Sequence, residues 1–476
     1  MKRGFLNSSK AKVRPLGPEL VSAPILAVEK PAISSLEEPF QSMKFPIGKV
    51  EKLDLPESSS SLKFVERDPR SGSMPGAMTY TTFPFGAADN EPVTECFFFS
   101  GSKEVLMNKG PGFPKPLVHP ATPAFTMKAV PGKGMGLFST RALKMGELIL
   151  SERPLLITAR GVPTGLIPGY TREMFLQHSL AELEKCVAIA VNRMRPENKA
   201  AFMALANCHT EDGSGPVVGI IRTNGLGIEG LRPGATDETR RYSAIPKDIS
   251  RLNHSCSPNT TPRFDLDSFG YQLRAVRSIT AGEELTFQYV DVGCSAAERN
   301  EALKPYAFVC ACPACTDAPA SDARRAAIKA YNPSVLLWAI DRKLSDDSLI
   351  NECLEQLARL TTEGLEHHGA YFDATKAIME AYICLGDTQN ASKWTAKVHK
   401  QVWAHRYEKE ISEFRLSELL DPANTAAYEK HPFWRMRVDP NPTTAMYQTL
   451  AALAGPNNIK TLPGGQTFMM FPGPPL

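Results

Sequence analysis

Arg251-Leu252-Asn253-His254-Ser255-Cys256-Ser257-Pro258-Asn259 is the stretch on which the reading of this chain turns. Pro258 and Asn259 alone would suffice for a polar turn, yet here an amide, an imidazole and a thiol share it. Further on, Cys310-Ala311-Cys312-Pro313-Ala314-Cys315 supplies three thiols, one short of the four that a closed tetrahedral zinc site takes. Cys256 is the natural fourth. Buried thiols without a metal are the plainer reading of any cysteine, but the Cys-x-Cys-x-x-Cys spacing together with the Cys256 turn favours zinc. Cys96, Cys186, Cys208, Cys294, Cys353 and Cys384 have no such company.

Composition bounds what surrounds this pair of segments. A chain of 476 residues is too long for one compact core, so two or three units are expected. Apolar residues make up 42% and charged residues 22%, ordinary values for a soluble globular protein. A net charge of +3 on this length is nearly neutral and argues neither for a nucleic-acid footprint nor for a membrane surface. No apolar run approaches the roughly 18 residues that span a bilayer, and the N-terminus lacks an apolar signal core. Lys2, Arg3, Lys10, Lys12 and Arg14 precede the first acid, Glu19, as in a mitochondrial presequence, but Pro15 and Pro18 interrupt the helix such a leader needs. The expected location is the nucleus or the cytoplasm, or both, where ten cysteines fit reduced thiols and metal ligation better than a disulfide framework.

Residues 1–123 are rich in Pro and Ser, with runs such as Ser58-Ser59-Ser60-Ser61, and read as largely disordered. Cys96-Phe97-Phe98-Phe99 could add an edge strand to the neighbouring domain, but a flexible tail is the expectation. The character changes at Phe125. Phe125–Val130, Gly136–Thr140 and Glu147–Glu152 read as short strands separated by turns. Leu183, Val187, Val191 and Met194 then recur at helical spacing within 171–207. After Asp317 the pattern is helical throughout. Ser345 is placed to cap a helix striped with Leu349, Cys353, Leu357 and Leu360; a second helix over about 371–385 ends at Gly386, and Asp387-Thr388 opens a third carrying Trp394, Val398 and Val402. From Asp421 the chain is Pro-rich again.

Four of these segments, in order, resemble the SET-domain protein methyltransferases and, within them, the SMYD-like group. They are Gly132-Lys133-Gly134-Met135-Gly136-Leu137-Phe138, the Asn-His-Ser-Cys-x-Pro-Asn turn, Gly282-Glu283-Glu284-Leu285-Thr286-Phe287-Gln288-Tyr289, and Tyr306-Ala307-Phe308-Val309 leading into the cysteines. The resemblance implies an α+β chain. It would hold a β-rich SET domain over 124–316, with a helical insert at about 165–215 and a zinc-binding post-SET segment at about 306–316. A TPR-like helical domain over 317–420 and a Pro-rich tail over 421–476 would follow. SMYD-like relatives also carry a MYND zinc finger; Cys186, Cys208 and His209 lack its paired spacing here.

The implied reaction moves a methyl group from S-adenosylmethionine to a lysine of a protein substrate. A free amine at neutral pH must be released from a group with a pKa of about 10.4, roughly 4.6 kcal/mol of work that an apolar channel beside a cationic cofactor would share. By the resemblance, Tyr289 is the catalytic tyrosine. Lys133, Gly134, Met135, Gly136, Ser250, Asn253 and His254 would hold the cofactor, with Tyr306 and Phe308 walling the adenine site and lysine channel. Asn224 matches a cofactor-contacting Asn, and a turn-capping Asn before Gly225 is nearly as good a reading. Where many relatives have Asn between the glycines, this chain has Met135. Cys256, Cys310, Cys312 and Cys315 are the implied zinc ligands, and the C-terminal helices an implied site for protein partners. Direct nucleic-acid binding is not expected. An inactive SET scaffold and a small-molecule methyltransferase stand as alternatives.

Overall fold

The computed structural model describes residues 49–53, 64–65, 78–164, 167–232, 234, 241–405, 416–439, 459–461 and 467–469. The basic run within 1–18 lies outside these residues, as do 440–458, 462–466 and 470–476 of the Pro-rich C-terminal stretch. In chain order come β1 (Phe64–Val65), β2 (Met78–Phe83), β3 (Thr94–Phe99), α1 (Ser102–Met107), β4 (Phe125–Val130), β5 (Gly134–Ser139), β6 (Leu148–Glu152) and β7 (Leu156–Ala159). Three helices follow, α2 (Arg172–Arg193), α3 (Pro196–Met203) and α4 (Pro216–Asn224). Then come β8 (Leu226–Ile228), β9 (Tyr242–Ile245), β10 (Asn253–His254), β11 (Thr260–Asp265), β12 (Gly270–Ala275) and β13 (Glu284–Phe287). Downstream lie α5 (Ala296–Leu303), α6 (Pro313–Thr316), α7 (Ala318–Ala330), α8 (Val335–Ile340), α9 (Ser348–Glu363), α10 (Gly369–Leu385), α11 (Thr388–His405) and α12 (Thr425–Glu429). A short antiparallel pair, β14 (Ile459–Thr461) and β15 (Thr467–Met469), closes the series.

The strands form three larger sheets, ordered β1-β2-β3-β7-β9-β8, β10-β13-β5-β4 and β11-β12-β6. One apolar core joins them to the helical insert, and Leu183, Val187, Val191 and Met194 all belong to it, as their spacing requires. The expectation of a loose 1–123 fails over β2 and β3. Thr94–Phe99 is an interior strand between β2 and β7, with Phe97 and Phe98 fully buried. Its one charge, Glu95, meets Arg193 at 2.6 Å and accepts from Thr82 at 2.7 Å, so the burial is compensated. Average composition hid these strands because β3 finds a partner about sixty residues away, pairing Glu95 with Leu156 and Phe97 with Thr158.

Leu349, Cys353 and Leu360 of α9 are buried, as their stripe predicts. The cap differs: Asp347 holds the N-cap position, while the Ser345 hydroxyl donates to Asp347 Oδ1 at 2.7 Å. Gly386 ends α10 in the left-handed region at φ 73°, where a side chain would be strained, and Asp387 Oδ1 accepts the Asn390 amide at 2.9 Å to start α11. The folded body also continues past 420. Tyr428, Met436 and Arg437 are buried, and the Arg437 guanidinium reaches the carbonyls of Trp338, Asp341 and Leu344. A Pro-rich composition therefore does not mark where the folded body ends.

His431 carries a pH prediction. Burial, helped by Lys376, pushes its pKa down to about 4, and its Nδ1 accepts the Phe433 amide at 3.3 Å. The unfolded chain takes up a proton at about 6.5 that the folded chain refuses. Stability is therefore complete above that value and falls as pH drops from about 6.5 toward 4, by roughly 1–2 kcal/mol at pH 5. Urea midpoints at pH 7 and 5 check this. His431→Gln should flatten part of the difference.

Candidate active site

Register builds the site. Asn253 pairs with Thr286 and His254 with Phe287, in parallel, which carries the Asn-His turn alongside Gln288 and Tyr289. The Tyr289 amide donates to His254 Nδ1 at 3.0 Å, so the ring hydrogen sits on Nε2, which faces Cys256 Sγ at 3.3 Å. Burial pushes the His254 pKa down to about 4, and the ring is neutral. Both nitrogens that were expected to meet a cofactor are thus engaged within the protein. What His254 offers the cavity is a ring face, and its nitrogens tie the Tyr289 backbone to the cysteine turn.

The Tyr289 hydroxyl donates to the Leu252 carbonyl at 2.6 Å, and burial raises its pKa, which keeps it a phenol. Its ring packs on Tyr306, Phe287 and His254, with centroids 4.7, 5.0 and 5.3 Å away. Phe308 lies 6.4 Å from Tyr289 and 6.0 Å from His254. These rings form one aromatic wall.

The Gly-rich segment meets this wall across β5. A Cβ on Gly136 would lie 2.8 Å from Val130 Cγ2, 3.0 Å from Asn253 Nδ2 and 3.1 Å from Glu284 Oε1, so only glycine fits there. Asn253 Nδ2 donates to Glu284 Oε1 at 2.8 Å and to the Met135 carbonyl at 3.4 Å, which leaves its Oδ1 as the acceptor for a ligand. Lys133 Nζ lies 3.6 Å from Glu284 Oε2. The Ser250 hydroxyl donates to the Pro246 carbonyl at 2.6 Å. Asn224, at the end of α4, donates to the carbonyls of Ala206 and Ile220 at 2.7 and 2.8 Å. Its amide hydrogens therefore serve the fold, in keeping with the turn-capping alternative.

Lys133, Gly134, Met135, Asn224, Ser250, Asn253, His254, Tyr289, Tyr306 and Phe308 all line one cavity of about 1150 Å³, which Gly136 backs. Glu284, Thr223 and Cys208 also line it and were missed by sequence reasoning. For Glu284 a signal existed: in the strand Glu284–Phe287 alternate side chains share a face, so Glu284 and Thr286 turn to the same side. Its neighbour Glu283 instead serves Asn259 and Arg277.

The four cysteines converge. Cys256, Cys310, Cys312 and Cys315 have sulfurs all within 4.8 Å of one another, with Cys256 at 3.5 Å from Cys315 and 3.8 Å from Cys310. Zinc bonds of about 2.3 Å in a tetrahedron give edges of about 3.8 Å, so the set fits that metal. Arg299, fully buried, points Nη2 at Cys315 Sγ from 3.7 Å, a cation where thiolates would gather negative charge. Among the described residues no second group of His, Cys, Asp and Glu side chains is close enough to hold a metal; His209 instead pairs with Asp212. The helical region reaches this centre through Arg325, which donates to the Cys256 carbonyl at 3.0 Å and pairs with Glu363 at 2.8 Å.

Residues 134–290 match the family model described as the SET domain. Residues 134–290 therefore carry a SET domain, and part of the chain is similar to SMYD proteins. It is 30% identical over 200 residues to histone-lysine N-methyltransferase set5 of Schizosaccharomyces pombe, covering 41% of this chain and 51% of that protein. With human histone-lysine N-methyltransferase SMYD3 it shares 46% identity over 68 residues, 14% of this chain and 15% of that one. With human N-lysine methyltransferase SMYD2 it shares 37% over 75 residues, 16% and 17% of the two chains. The matched part thus spans about half the length of the first relative and under a fifth of the other two. Among solved structures, Rubisco LSMT bound to AdoMet aligns over 72% of this chain and 95% of that one at 16% identity, with a TM-score of 0.23, too low to bear on fold or ligand.

Proposed function

We propose that this chain is an S-adenosylmethionine-dependent methyltransferase acting on a lysine side chain of a protein substrate. The observation that carries the reading is the shared cavity: residues from four separated segments, matched independently to cofactor and catalytic roles, line it together. Bound S-adenosylmethionine supplies an electrophilic methyl group on a sulfonium. At the Gly-rich end, Asn253 Oδ1, Glu284 and Lys133 offer an acceptor and charges of both signs, which suits the amino-acid end of that cofactor. The aromatic wall of Tyr289, Tyr306 and Phe308 suits a desolvated lysine stem, and desolvation favours its neutral amine. Tyr289, held as a phenol, orients the amine and does not take its proton. The four cysteines hold a structural zinc ion, which needs no open coordination position.

We place the protein in the nucleus or cytoplasm, where thiols stay reduced; all ten cysteines are free. The helices within 317–420, α7 to α11, are proposed as a TPR-like domain available to protein partners. No helix among the described residues is long and apolar enough to cross a membrane.

Calorimetric titration with S-adenosylmethionine tests the reading against an inactive scaffold. Asn253→Ala should weaken binding by roughly 1–3 kcal/mol, about ten- to a hundredfold, because it removes the free acceptor and one of the two partners of Glu284. Unchanged affinity in a folded variant would take Asn253 out of the cofactor site. Absence of binding by the wild-type chain would sink the enzyme reading.

A further inference from the structure

Glu152 is an acidic side chain at the end of β6, outside the cavity lining; burial pushes its pKa up to about 7, against the backbone amides that favour its carboxylate. Its carboxylate accepts three successive backbone amides: Lys247 at 3.2 Å, Asp248 at 3.0 Å from both oxygens, and Ile249 at 2.7 Å. Those amides head the 3-10 turn Ile249–Arg251, and the Ser250 hydroxyl closes the same turn on the Pro246 carbonyl. The next residue, Leu252, provides the carbonyl that anchors the Tyr289 hydroxyl, and Asn253 follows. A single side chain therefore fixes the start of a segment whose next few residues include two proposed cofactor contacts and the anchor of the proposed catalytic hydroxyl.

We infer that Glu152 is a positioning residue for methyl transfer: its carboxylate clamps the 247–249 amides and so sets the height of Ser250, the Leu252 carbonyl and Asn253 against the cavity. The inference rests on the cofactor reading above. The chemistry favours a carboxylate in this role, since it accepts from several N–H groups at once and has no hydrogen to set against them. Leucine at 152 would keep the bulk and leave three amides without their acceptor. Glutamine would keep one acceptor oxygen and turn an NH₂ toward donors. Small displacements of such a segment are amplified at the reacting atoms, because orientation there is steep.

The experiment compares wild type, Glu152→Leu, Glu152→Gln and Val187→Ala, the last a cavity variant at a buried position of α2, outside the 247–253 segment, that lowers stability without touching the clamp's hydrogen bonds. S-adenosylmethionine affinity is measured by calorimetry, and KM and kcat for methyl transfer are measured separately at saturating second substrate. Glu152→Leu should weaken cofactor binding by about tenfold or more and also lower kcat, with Glu152→Gln recovering part of both and Val187→Ala changing neither. Equal losses in Glu152→Leu and a Val187→Ala protein of matched melting temperature would reduce Glu152 to a structural role and overturn the inference. Wild-type affinity in Glu152→Leu would do the same. If the wild-type chain binds no S-adenosylmethionine, the functional reading fails instead; hydrogen exchange at the Lys247, Asp248 and Ile249 amides still tests the clamp, which is refuted if Glu152→Leu leaves their protection unchanged.

Discussion

Cys256→Ser should yield protein without zinc and without methyl transfer, and Cys312→Ser should do the same. The sulfur of Cys256 sits at the meeting point of three structures. The turn Asn253–Asn259 carries it, Cys310–Cys315 closes over it, and buried Ile328, Leu360 and Leu365 from the helical region pack in the same apolar cluster. Its backbone carbonyl is held by Arg325, and its sulfur receives the Nε2 hydrogen of His254, whose other nitrogen holds the Tyr289 amide. A serine hydroxyl is a poor substitute for a thiolate toward zinc, which takes softer ligands readily. Losing the metal therefore frees the segment that bears Tyr306 and Phe308 and loosens the contact that fixes residue 289. Arg299 would also be left buried beside neutral thiols, a further penalty. Elemental analysis should find one zinc ion per wild-type chain and none in either variant, with turnover down by more than about a hundredfold. A metal-free wild-type protein with full activity would remove both the zinc assignment and its role in holding the aromatic wall.

How far the site could be read from sequence depended on how local its determinants are. The Asn-His turn, the glycines and the cysteines are short patterns whose chemistry is dense; the fold brings Gly134, Asn253 and His254 to one cavity and gathers the four cysteines in a cluster beside it. Gly136 is the clearest instance, since the lack of a Cβ is the reason Asn253 and Glu284 can approach it. The part that failed to show was non-local. Glu284 looks like any charge on a half-exposed strand until the pairing of Asn253 with Thr286 brings the Asn253 amide to its carboxylate. Glu152 looks like a surface acid until the chain returns about a hundred residues later with three amides. Thr94–Phe99 was judged by the Pro- and Ser-rich stretch around it, although pairing on both sides makes it interior. The end of the helical region was misjudged for the same reason: Arg437 folds back onto carbonyls almost a hundred residues upstream. His254 differs in another way, because it lines the cavity while the hydrogen bonds assign its nitrogens to the protein rather than to a ligand.

Tyr289→Phe should keep S-adenosylmethionine affinity within about threefold of wild type while cutting turnover by roughly a hundredfold or more. The ring would remain, with its packing against Tyr306, Phe287 and His254, and the residue 289 amide would still donate to His254 Nδ1. Only the hydroxyl is lost. In the wild-type chain that hydroxyl donates its hydrogen to the Leu252 carbonyl at 2.6 Å, which leaves its lone pairs, not its hydrogen, for a ligand in the cavity that Tyr289 lines. Burial raises its pKa, so the group is a neutral phenol, and in the proposed reaction it would act by orientation rather than by taking a proton. The proton of the target amine must therefore leave before transfer, and the rate should rise with pH in step with the free-amine fraction in wild type and variant alike. Single-turnover methyl transfer across pH separates the possibilities. An unchanged rate would move the catalytic role elsewhere in the cavity, and a change in the shape of the pH profile would mean that the phenol does exchange a proton with the substrate.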